Sequence, residues 1–293
     1  MSCYSLKDTI NGFFSGCTAT KDECDRAAAE STGQAVEPVR LQGAFGYTVA
    51  AGKLLVQFRV PESLLDTKTL DLARKIHGDV VPTCFNKGVI GPSPSLTIIF
   101  ANSWVNRLTK SSYSSEHSLA DLQDKLYVLS RHLPSRFTGV ISKIREELPT
   151  NFVPTYLLAL THADLWEMNI IVDPKVGGVT GVVDWAEAKF LPIGISLWGL
   201  QNMLGIMNSR SWNYHENSDR LERLFWDTFN GIAGMISSDD KRAMKTAERA
   251  GLVLRYGYTW EDGIFERPVT EQDSLIRYLD AFLHRLEPWR TDD

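Results

Sequence analysis

The sequence predicts an α+β protein of two lobes, with a small mixed α/β N-terminal lobe in residues 1–103 and a mainly helical C-terminal lobe in residues 104–293. Three observations predict this class. Strand and helix patterns alternate in the first part, helical periodicity dominates the second, and one strand-rich segment at residues 161–192 interrupts the helices. This pattern indicates two lobes with a cleft between them, and the interruption is where we expect the chemistry.

Two helices are predicted in the N-terminal lobe. The first covers residues 20–33. Thr20 can cap it, Glu23 completes a capping box, and Gly33 can adopt the left-handed conformation that ends a helix. The second covers residues 66–78, which return to a helical pattern with an acidic residue at the start and a glycine at the end.

Strand patterns fill the rest of this lobe. Residues 36–60 are typical of two or three strands, with turns at residues 43–46 and 51–53. A short strand and a loop rich in Gly, Pro and Ser then precede an apolar strand at residues 96–100. We therefore expect a small mixed sheet with one helix packed between its strands.

Amphipathic stretches predict the helices of the C-terminal lobe. They are residues 119–133, 138–148, 153–160, 196–207, 218–236, 241–258 and 270–286.

Composition and charge exclude several classes of protein. Hydrophobic residues make up 43% of the 293 residues, which excludes a disordered chain. The formal net charge is −5 and no run is rich in Lys or Arg, whereas a nucleic-acid-binding protein normally shows a basic face. We therefore expect no nucleic-acid partner and a cationic or neutral small-molecule ligand; partner proteins cannot be inferred.

Apolar runs and cysteines indicate the compartment. No apolar run approaches the roughly 20 residues that span a bilayer, and the opening residues lack the features of a signal peptide. The four cysteines lie in a chain too large to need disulfides, so we expect free thiols, a cytoplasmic location and no membrane partner. Cys17 and Cys24 have no CxxC motif or His pair beside them, so a zinc site is not expected.

The strand-rich interruption carries the candidate site. Residues 169–173 and 180–184 flank a segment of turn formers and predict a β-hairpin. A register centred on the turn places Asn169 opposite Asp184, with Cβ atoms about 5 Å apart. Their oxygen atoms could share a hard cation. Asp164, on the preceding loop, would bring a third oxygen-bearing side chain to the same end of the hairpin.

These residues resemble a known signature. The motif His162-Ala-Asp164-x-x-x-x-Asn169, followed by Val-Val-Asp184-Trp, is similar to the HxDxxxxN and (I/V)-D motifs of aminoglycoside phosphotransferases and related small-molecule kinases. These enzymes share a two-lobed protein-kinase-like fold. The segment QGAFGYTVAAGKLLVQFR and the helix LDLARKIHGDVVP resemble the fungal branch of that family. The resemblance implies transfer of phosphate from ATP, with Mg²⁺, to a hydroxyl of a small molecule such as an aminoglycoside, choline or another metabolite.

The resemblance also implies residue roles in the C-terminal lobe. Asp164 would orient the acceptor hydroxyl and take its proton, while Asn169 and Asp184 would hold Mg²⁺ against the nucleotide phosphates. Positioning and charge neutralisation would supply most of the rate. His162 would be a structural hydrogen-bonding residue beneath the loop rather than a proton carrier.

The N-terminal lobe departs from the family pattern at its phosphate-binding strand. Family members carry a lysine there, and Arg59 occupies that position, on the same strand face as Gln57. An arginine can bind phosphate bidentately, but with a different geometry. Its partner acid on the following helix would be Asp71, which is shorter than the usual Glu. Lys53 is an alternative cation at a turn.

Two further features complete the sequence prediction. The turn over the phosphates would contain only two glycines, Gly43 and Gly46. Downstream, aromatic and acidic residues indicate either a pocket for a cationic substrate or a helical core with solvated acidic faces. They are Trp198, Trp212, Tyr214, Trp226 and Trp260, with Glu187, Glu216, Glu222, Asp227 and Glu261.

Two functions remain open. The first is a small-molecule kinase. The second is a kinase-like binding module without catalysis, or a kinase fold reused for other chemistry, in which Arg59 marks an altered use of the nucleotide. The retention of Asp164, Asn169 and Asp184 together favours the first.

Overall fold

The structure is a computed structural model. It describes residues 5–40, 42–43, 46–52, 54–64, 66–92, 95–102, 116–152, 158–233, 237–261 and 265–285. The predicted α+β class is confirmed: an antiparallel sheet with helices forms the first part of the chain, and helices dominate the second. None of the described helices is long and apolar enough to cross a membrane.

The described helices and strands follow one another in this order. The α-helices are α1 (Leu6–Ser15), α2 (Lys21–Thr32), α3 (Thr67–His77), α4 (Glu116–His132), α5 (Thr138–Glu147), α6 (Trp198–Met203), α7 (Ser218–Ala233), α8 (Ser238–Tyr256) and α9 (Ile276–Arg285). The strands are β1 (Glu37–Pro38), β2 (Gly46–Ala51), β3 (Leu54–Arg59), β4 (Thr83–Ile90), β5 (Leu96–Asn102), β6 (Leu158–Thr161), β7 (Ile170–Val172), β8 (Val179–Val182), β9 (Lys189–Pro192), β10 (Gly205–Met207), β11 (Trp212–Tyr214), β12 (Tyr258–Glu261) and β13 (Phe265–Pro268).

The chain divides into two compact units. The first comprises residues 1–110 and 169–186, and the second comprises residues 111–168 and 187–293. The predicted boundary at residues 103 and 104 assigned the β7–β8 hairpin to the C-terminal lobe, whereas the contacts of residues 169–186 group the hairpin with the first unit.

A five-stranded sheet organises the first unit, in the order β1-β2-β3-β5-β4. Every pairing in it is antiparallel, so the expectation of a mixed sheet was wrong. Val56 and Phe58 on β3 are fully buried beneath α1 and α2, in a core that includes Tyr47 and Val49 of β2. Because side chains alternate along a strand, Arg59 lies on the opposite face of the sheet.

Local capping explains the helix limits in this unit. The predicted capping box of α2 is present, and Gly33 ends the helix with φ of +66°. Asp66 caps α3 by accepting a hydrogen bond from the Lys68 backbone N–H. Helix α1 was not predicted, although Ser5 caps it by accepting from the Asp8 backbone N–H.

The second unit is built on α4, α5, α8 and α9, whose apolar faces share one core. Two predictions in this unit were wrong. Residues 153–160 were expected to form a helix; 153–157 lie outside the described residues, and Leu158–Thr161 forms β6 because it pairs with Lys189–Pro192. The helix expected at residues 196–207 ends at Met203, since Gly205–Met207 pairs with Trp212–Tyr214.

Candidate functional site

The predicted hairpin is present, with a register one residue away from the expected one. Ile170 pairs with Val182, and the Val183 backbone N–H donates to the Asn169 carbonyl at 2.9 Å. Asn169 therefore lies opposite Val183, and Asp184 is the first residue beyond the ladder. Asp173 belongs to the turn, because its carboxylate accepts from the Lys175 backbone N–H at 2.8 Å.

Asp184 sits at a sharp change of backbone direction. Its φ is +62°, a left-handed value that a non-glycine residue rarely adopts and that Asp tolerates better than most. The next residue, Trp185, is buried and anchors this turn: its indole N–H donates to the Val182 carbonyl at 2.8 Å. The Trp185 ring also packs on His77 at the end of α3, with ring centroids 4.9 Å apart. Strained backbone held by surrounding contacts is typical of functional sites.

Arg59 is the buried cation of the first unit. Arg59 is 8% exposed, and its Nε is buried with no hydrogen-bond partner in the part of the chain that the structure describes. Burial lowers the pKa of Arg59, and the negative charge of Asp184 opposes that shift, so the two groups lie close enough to interact electrostatically. The structure thus brings together Arg59 and Asp184, which the sequence assigned to different parts of one site.

The two predicted glycines differ in their surroundings. Gly46 is buried and pairs directly with Arg59 across β2 and β3. A Cβ atom on Gly46 would lie 3.1 Å from the Phe58 carbonyl oxygen and 3.7 Å from Arg59 Nε. Gly43 is exposed, and a Cβ atom there would meet no atom of the described residues within 4 Å. Gly46 therefore makes room for the arginine, and Gly43 does not.

The structure does not join Arg59 to its expected partner acid. Asp71 is exposed on α3, and within the described part of the chain no ion pair connects it to Arg59. The thiol of Cys84 lies within electrostatic reach of both residues. Burial raises the pKa of Cys84 to about 11, the charge of Asp71 raises it further, and those of Arg59 and Arg74 oppose the shift. The alternative cation, Lys53, lies outside the described residues.

Asp164 lies on a strained loop of the second unit. Ala163, immediately before it, has φ of +60°, and Ala163 and Asp184 are the two positive-φ non-glycine residues in the described part of the chain. His162 is buried, and its Nδ1 accepts a hydrogen bond from the Asp164 backbone N–H at 3.3 Å. A contact of this kind is what a structural hydrogen-bonding residue beneath the loop would make, with Nδ1 as the acceptor nitrogen of the ring.

Sequence reasoning missed the cation that contacts Asp164. Arg255, in the last turn of α8, places Nη2 3.2 Å from Asp164 Oδ1. Its guanidinium carbon lies 4.6 Å from the Trp166 ring centroid and 5.0 Å from that of Trp198. No local pattern reveals this pairing, because α8 comes far later in the chain than the Asp164 loop.

Three of the downstream aromatic residues contribute to core packing, whereas Glu187, Glu216 and Asp227 are exposed. Trp198 is 2% exposed, and Trp212 and Tyr214 pack against the core of the second unit. The chain's own Arg285 fills the place of a cationic ligand: it lies 4.0 Å over the Tyr214 ring and 2.7 Å from Glu222. The side chains of Trp260 and Glu261 lie outside the described residues.

The side chains that could ligate a metal ion are not clustered in the part of the chain that the structure describes. Among the described residues, no group of three or more His, Cys, Asp or Glu side chains is placed to hold one. Cys17, Cys24 and Cys84 are free thiols, and Cys3 lies outside the described residues. A Mg²⁺ ion bound through one or two protein oxygens, water and phosphate needs no such group.

Comparison with known proteins links the motif to a family. Residues 102–221 match the sequence model of the phosphotransferase enzyme family, APH. This segment is less than half of the chain and contains Asp164, Asn169 and Asp184. A comparison with curated protein sequences finds no match.

Three solved structures illustrate the structural similarity. A choline/ethanolamine kinase family protein from Mesorhizobium loti is 14% identical, with a TM-score of 0.49 over 90% of this chain and 92% of that one. The spectinomycin phosphotransferase APH(9)-Ia, solved with ADP and spectinomycin, is 13% identical, with a TM-score of 0.46 over 90% and 94%. The streptomycin–ATP–APH(2'')-IIa ternary complex is 13% identical, with a TM-score of 0.44 over 92% and 97%.

Proposed function

We propose that this chain is an ATP- and Mg²⁺-dependent phosphotransferase that phosphorylates a hydroxyl of a small molecule. The observation that carries the proposal is Arg59, a buried guanidinium that lies within electrostatic reach of Asp184 and whose Nε has no hydrogen-bond partner among the described residues. Burying a charged donor without a full set of partners is costly, so such a group is expected where an anionic ligand completes its bonds. The match of residues 102–221 to a phosphotransferase family agrees with phosphate as that ligand.

The nucleotide would be held by residues of the first unit. Arg59 would donate two parallel N–H hydrogen bonds from its planar guanidinium to phosphate oxygens. Gly46 would leave the space that the aliphatic part and Nε of Arg59 need. Asn169 and Asp184 would hold the metal ion, with Asp184 carrying the charge. When bound, ATP would supply the phosphoryl group and Mg²⁺ would neutralise charge on the phosphates.

Asp164 would act on the acceptor. Its carboxylate would orient the hydroxyl and take its proton as the new P–O bond forms and ADP leaves. This role rests on its place in the His162-to-Asn169 motif and on the local structure of its loop. His162 and Arg255 both hold the residue, one through its backbone and one through its carboxylate.

A thermal-shift titration with ATP, with and without Mg²⁺, tests the nucleotide assignment. A ligand that binds only the folded state raises its stability, by about 2.7 kcal/mol at 100 times its Kd. We expect a larger shift with Mg²⁺ than without it, and a smaller shift with adenosine at the same concentration. Absence of any shift with Mg²⁺ and ATP would contradict the proposal.

Release of ADP tests catalysis. The rate of ATP hydrolysis by water is measured first, and alcohols and amino sugars are then added to find an acceptor. Asp164→Asn should lower turnover by about 10²–10⁴-fold, the usual contribution of a general base, while ATP binding persists.

A binding module without catalysis is the second candidate. The observation in its favour is that Arg59 has no ion pair with Asp71 in the described part of the chain, unlike the pairing that the resemblance implies. This candidate predicts a thermal shift with ATP, equal basal rates in the wild type and Asp164→Asn, and no stimulation by any compound.

A further inference from the structure

We propose that Arg255 is a positioning residue that holds the carboxylate of Asp164 in one orientation for proton transfer. The inference rests on the proposed function, because it assigns Arg255 through the candidate base. Its starting point is the 3.2 Å contact between Arg255 Nη2 and Asp164 Oδ1. Both side chains are 32% exposed, so the pair is partly shielded from water.

Two indole rings fix the guanidinium. Trp166 and Trp198 meet edge to face, with centroids 5.8 Å apart and planes at 71°, and form a corner. The Arg255 guanidinium carbon lies over both rings, at 4.6 and 5.0 Å from their centroids. Cation–π contacts in a partly buried corner each favour one placement of the cation. Trp166 follows Asp164 by two residues, so one ring of the corner belongs to the same loop as the base.

The backbone beneath Arg255 is equally fixed. The next residue, Tyr256, is 1% exposed and stacks on Tyr278, with centroids 4.7 Å apart and planes at 3°. Its hydroxyl donates to Asn202 Oδ1 at 2.6 Å. The turn of α8 that carries Arg255 is therefore anchored on α6 and α9, and the guanidinium reaches Asp164 from a fixed stretch of backbone.

Such rigidity matters for a general base. A base must be oriented toward the proton that it takes, and a displacement of about 1 Å can lower a rate about 100-fold. An arginine held on three sides keeps the Asp164 carboxylate in place before the acceptor arrives. Because its contacts are to the base and to aromatic rings, its loss should lower kcat without weakening nucleotide binding.

The test uses Mg²⁺-ATP hydrolysis by water, followed as ADP release, in the full chain. Arg255→Met and Arg255→Lys should lower kcat by about 10–100-fold and leave the KM for ATP unchanged. The lysine variant keeps the charge and the stem but loses the planar group that fits the indole corner. Arg242→Met is the matched control, because Arg242 lies on the same helix in an exposed pair with Asp239 and should leave both constants unchanged.

Chemical rescue separates positioning from a structural role. Guanidinium at concentrations too low to denature should restore turnover of Arg255→Ala, whereas ammonium should not. The double variant Asp164→Asn with Arg255→Ala should not respond. Unchanged or increased kcat in folded Arg255→Lys or Arg255→Met would overturn the inference, an increase meaning that Arg255 blocks the base. A wild type that binds no ATP and releases no ADP would overturn the proposed function, and the inference with it.

Discussion

Gly46 and Arg59 lie directly opposite each other on β2 and β3, and a Cβ atom on Gly46 would stand 3.4 Å from Arg59 Cγ. The same atom would stand 3.1 Å from the Phe58 carbonyl oxygen, which belongs to the backbone and cannot easily move. The glycine therefore sets the space in which the buried arginine lies. A side chain at position 46 should act on the candidate phosphate-binding group without touching a ligand.

Gly46→Ala should weaken binding of Mg²⁺-ATP and lower stability by about 1 kcal/mol. Overpacking costs about 1–3 kcal/mol, and the reduced freedom of the unfolded chain offsets about 0.4–1 kcal/mol of it. Gly43→Ala is the control, because a Cβ atom there is in open space and should leave both quantities nearly unchanged. Titration calorimetry and urea unfolding measure the two effects. Equal ATP affinity in the two variants would separate Gly46 from the nucleotide site.

Arg59→Met should weaken ATP binding by about 10–100-fold and leave adenosine binding unchanged. This range corresponds to the loss of about 1.5–3 kcal/mol, the contribution of hydrogen bonds to charged groups. Adenosine has no phosphates and therefore makes none of these hydrogen bonds. Because Arg59 Nε is buried without a partner among the residues described, methionine should cost little stability or even increase it. ATP binding by Arg59→Lys shows whether a positive charge without the guanidinium geometry is enough to bind the phosphates. Unchanged ATP affinity in Arg59→Met would point instead to Lys53 or to a protein that does not bind ATP through this strand.

Asp184→Asn should weaken Mg²⁺-dependent nucleotide binding by at least about 10-fold, because changing even a residue that only supports a metal ligand costs about 10–100-fold. Asparagine tolerates the left-handed backbone at this position, so the fold should persist. Asp173→Asn is the control, since Asp173 belongs to the hairpin turn and asparagine forms the same turn. The measurement is the ATP thermal shift at increasing Mg²⁺. A metal role for Asp184 is excluded if the two variants respond alike.

Helix α2 and the two faces of strand β3 could be predicted because they depend on interactions between residues close in the sequence. The capping box of α2 and the glycine that ends it depend on residues within one or two helical turns, and the structure contains both. The alternation that buries Phe58 and turns Arg59 to the other face is equally local. The motif from His162 to Asn169 identified the loop, and its internal contact between His162 and the Asp164 backbone was predictable in kind.

Long-range pairing and backbone strain were not predictable in this way. Residues 158–161 have a helical pattern but form a strand, because a partner strand lies far along the chain. The hairpin register differs by one residue from the expected one, and the pairing is irregular between Ile171 and Val172, which no alternation rule anticipates. Arg255 reaches Asp164 only through the packing of α8. The contacts missed were therefore those that the tertiary fold creates.

Ala163→Gly should stabilise the protein by about 0.5–1 kcal/mol. Ala163 has φ of +60°, which costs an L-residue about 1–2 kcal/mol, whereas glycine avoids that cost and loses about 0.4–1 kcal/mol through its freer unfolded state. Ala163→Val should destabilise, because a β-branched side chain fits this conformation poorly. Urea unfolding with an unchanged m-value reports both changes. A lower stability for the glycine variant would show that the alanine methyl makes packing contacts that outweigh the strain.

The pH dependence of stability should depend on Glu248. This residue is 4% exposed on α8 and accepts a hydrogen bond from Gln201 Nε2 at 3.3 Å. Burial raises the pKa of Glu248 from about 4.5 to about 7; the charge of Glu222 adds to the shift, while Gln201, Arg249 and Lys245 oppose it. The folded state therefore holds a proton that the unfolded state releases near pH 4.5. The resulting stability is fully present below that pH and is lost as the pH rises through about 7.

Glu248→Gln should remove this dependence. The wild type should lose up to about 3 kcal/mol between pH 4.5 and 8, and the glutamine variant should be flatter over this range and more stable at pH 8. Asp273→Asn is the control, because hydrogen bonds from Arg267 lower the pKa of Asp273 and its contribution is lost only as the pH falls. That variant should change the acid side of the curve and keep the slope above pH 5. Urea unfolding from pH 4 to 8 measures all three curves. Parallel curves for the wild type and Glu248→Gln would show that Glu248 does not exchange its proton on unfolding.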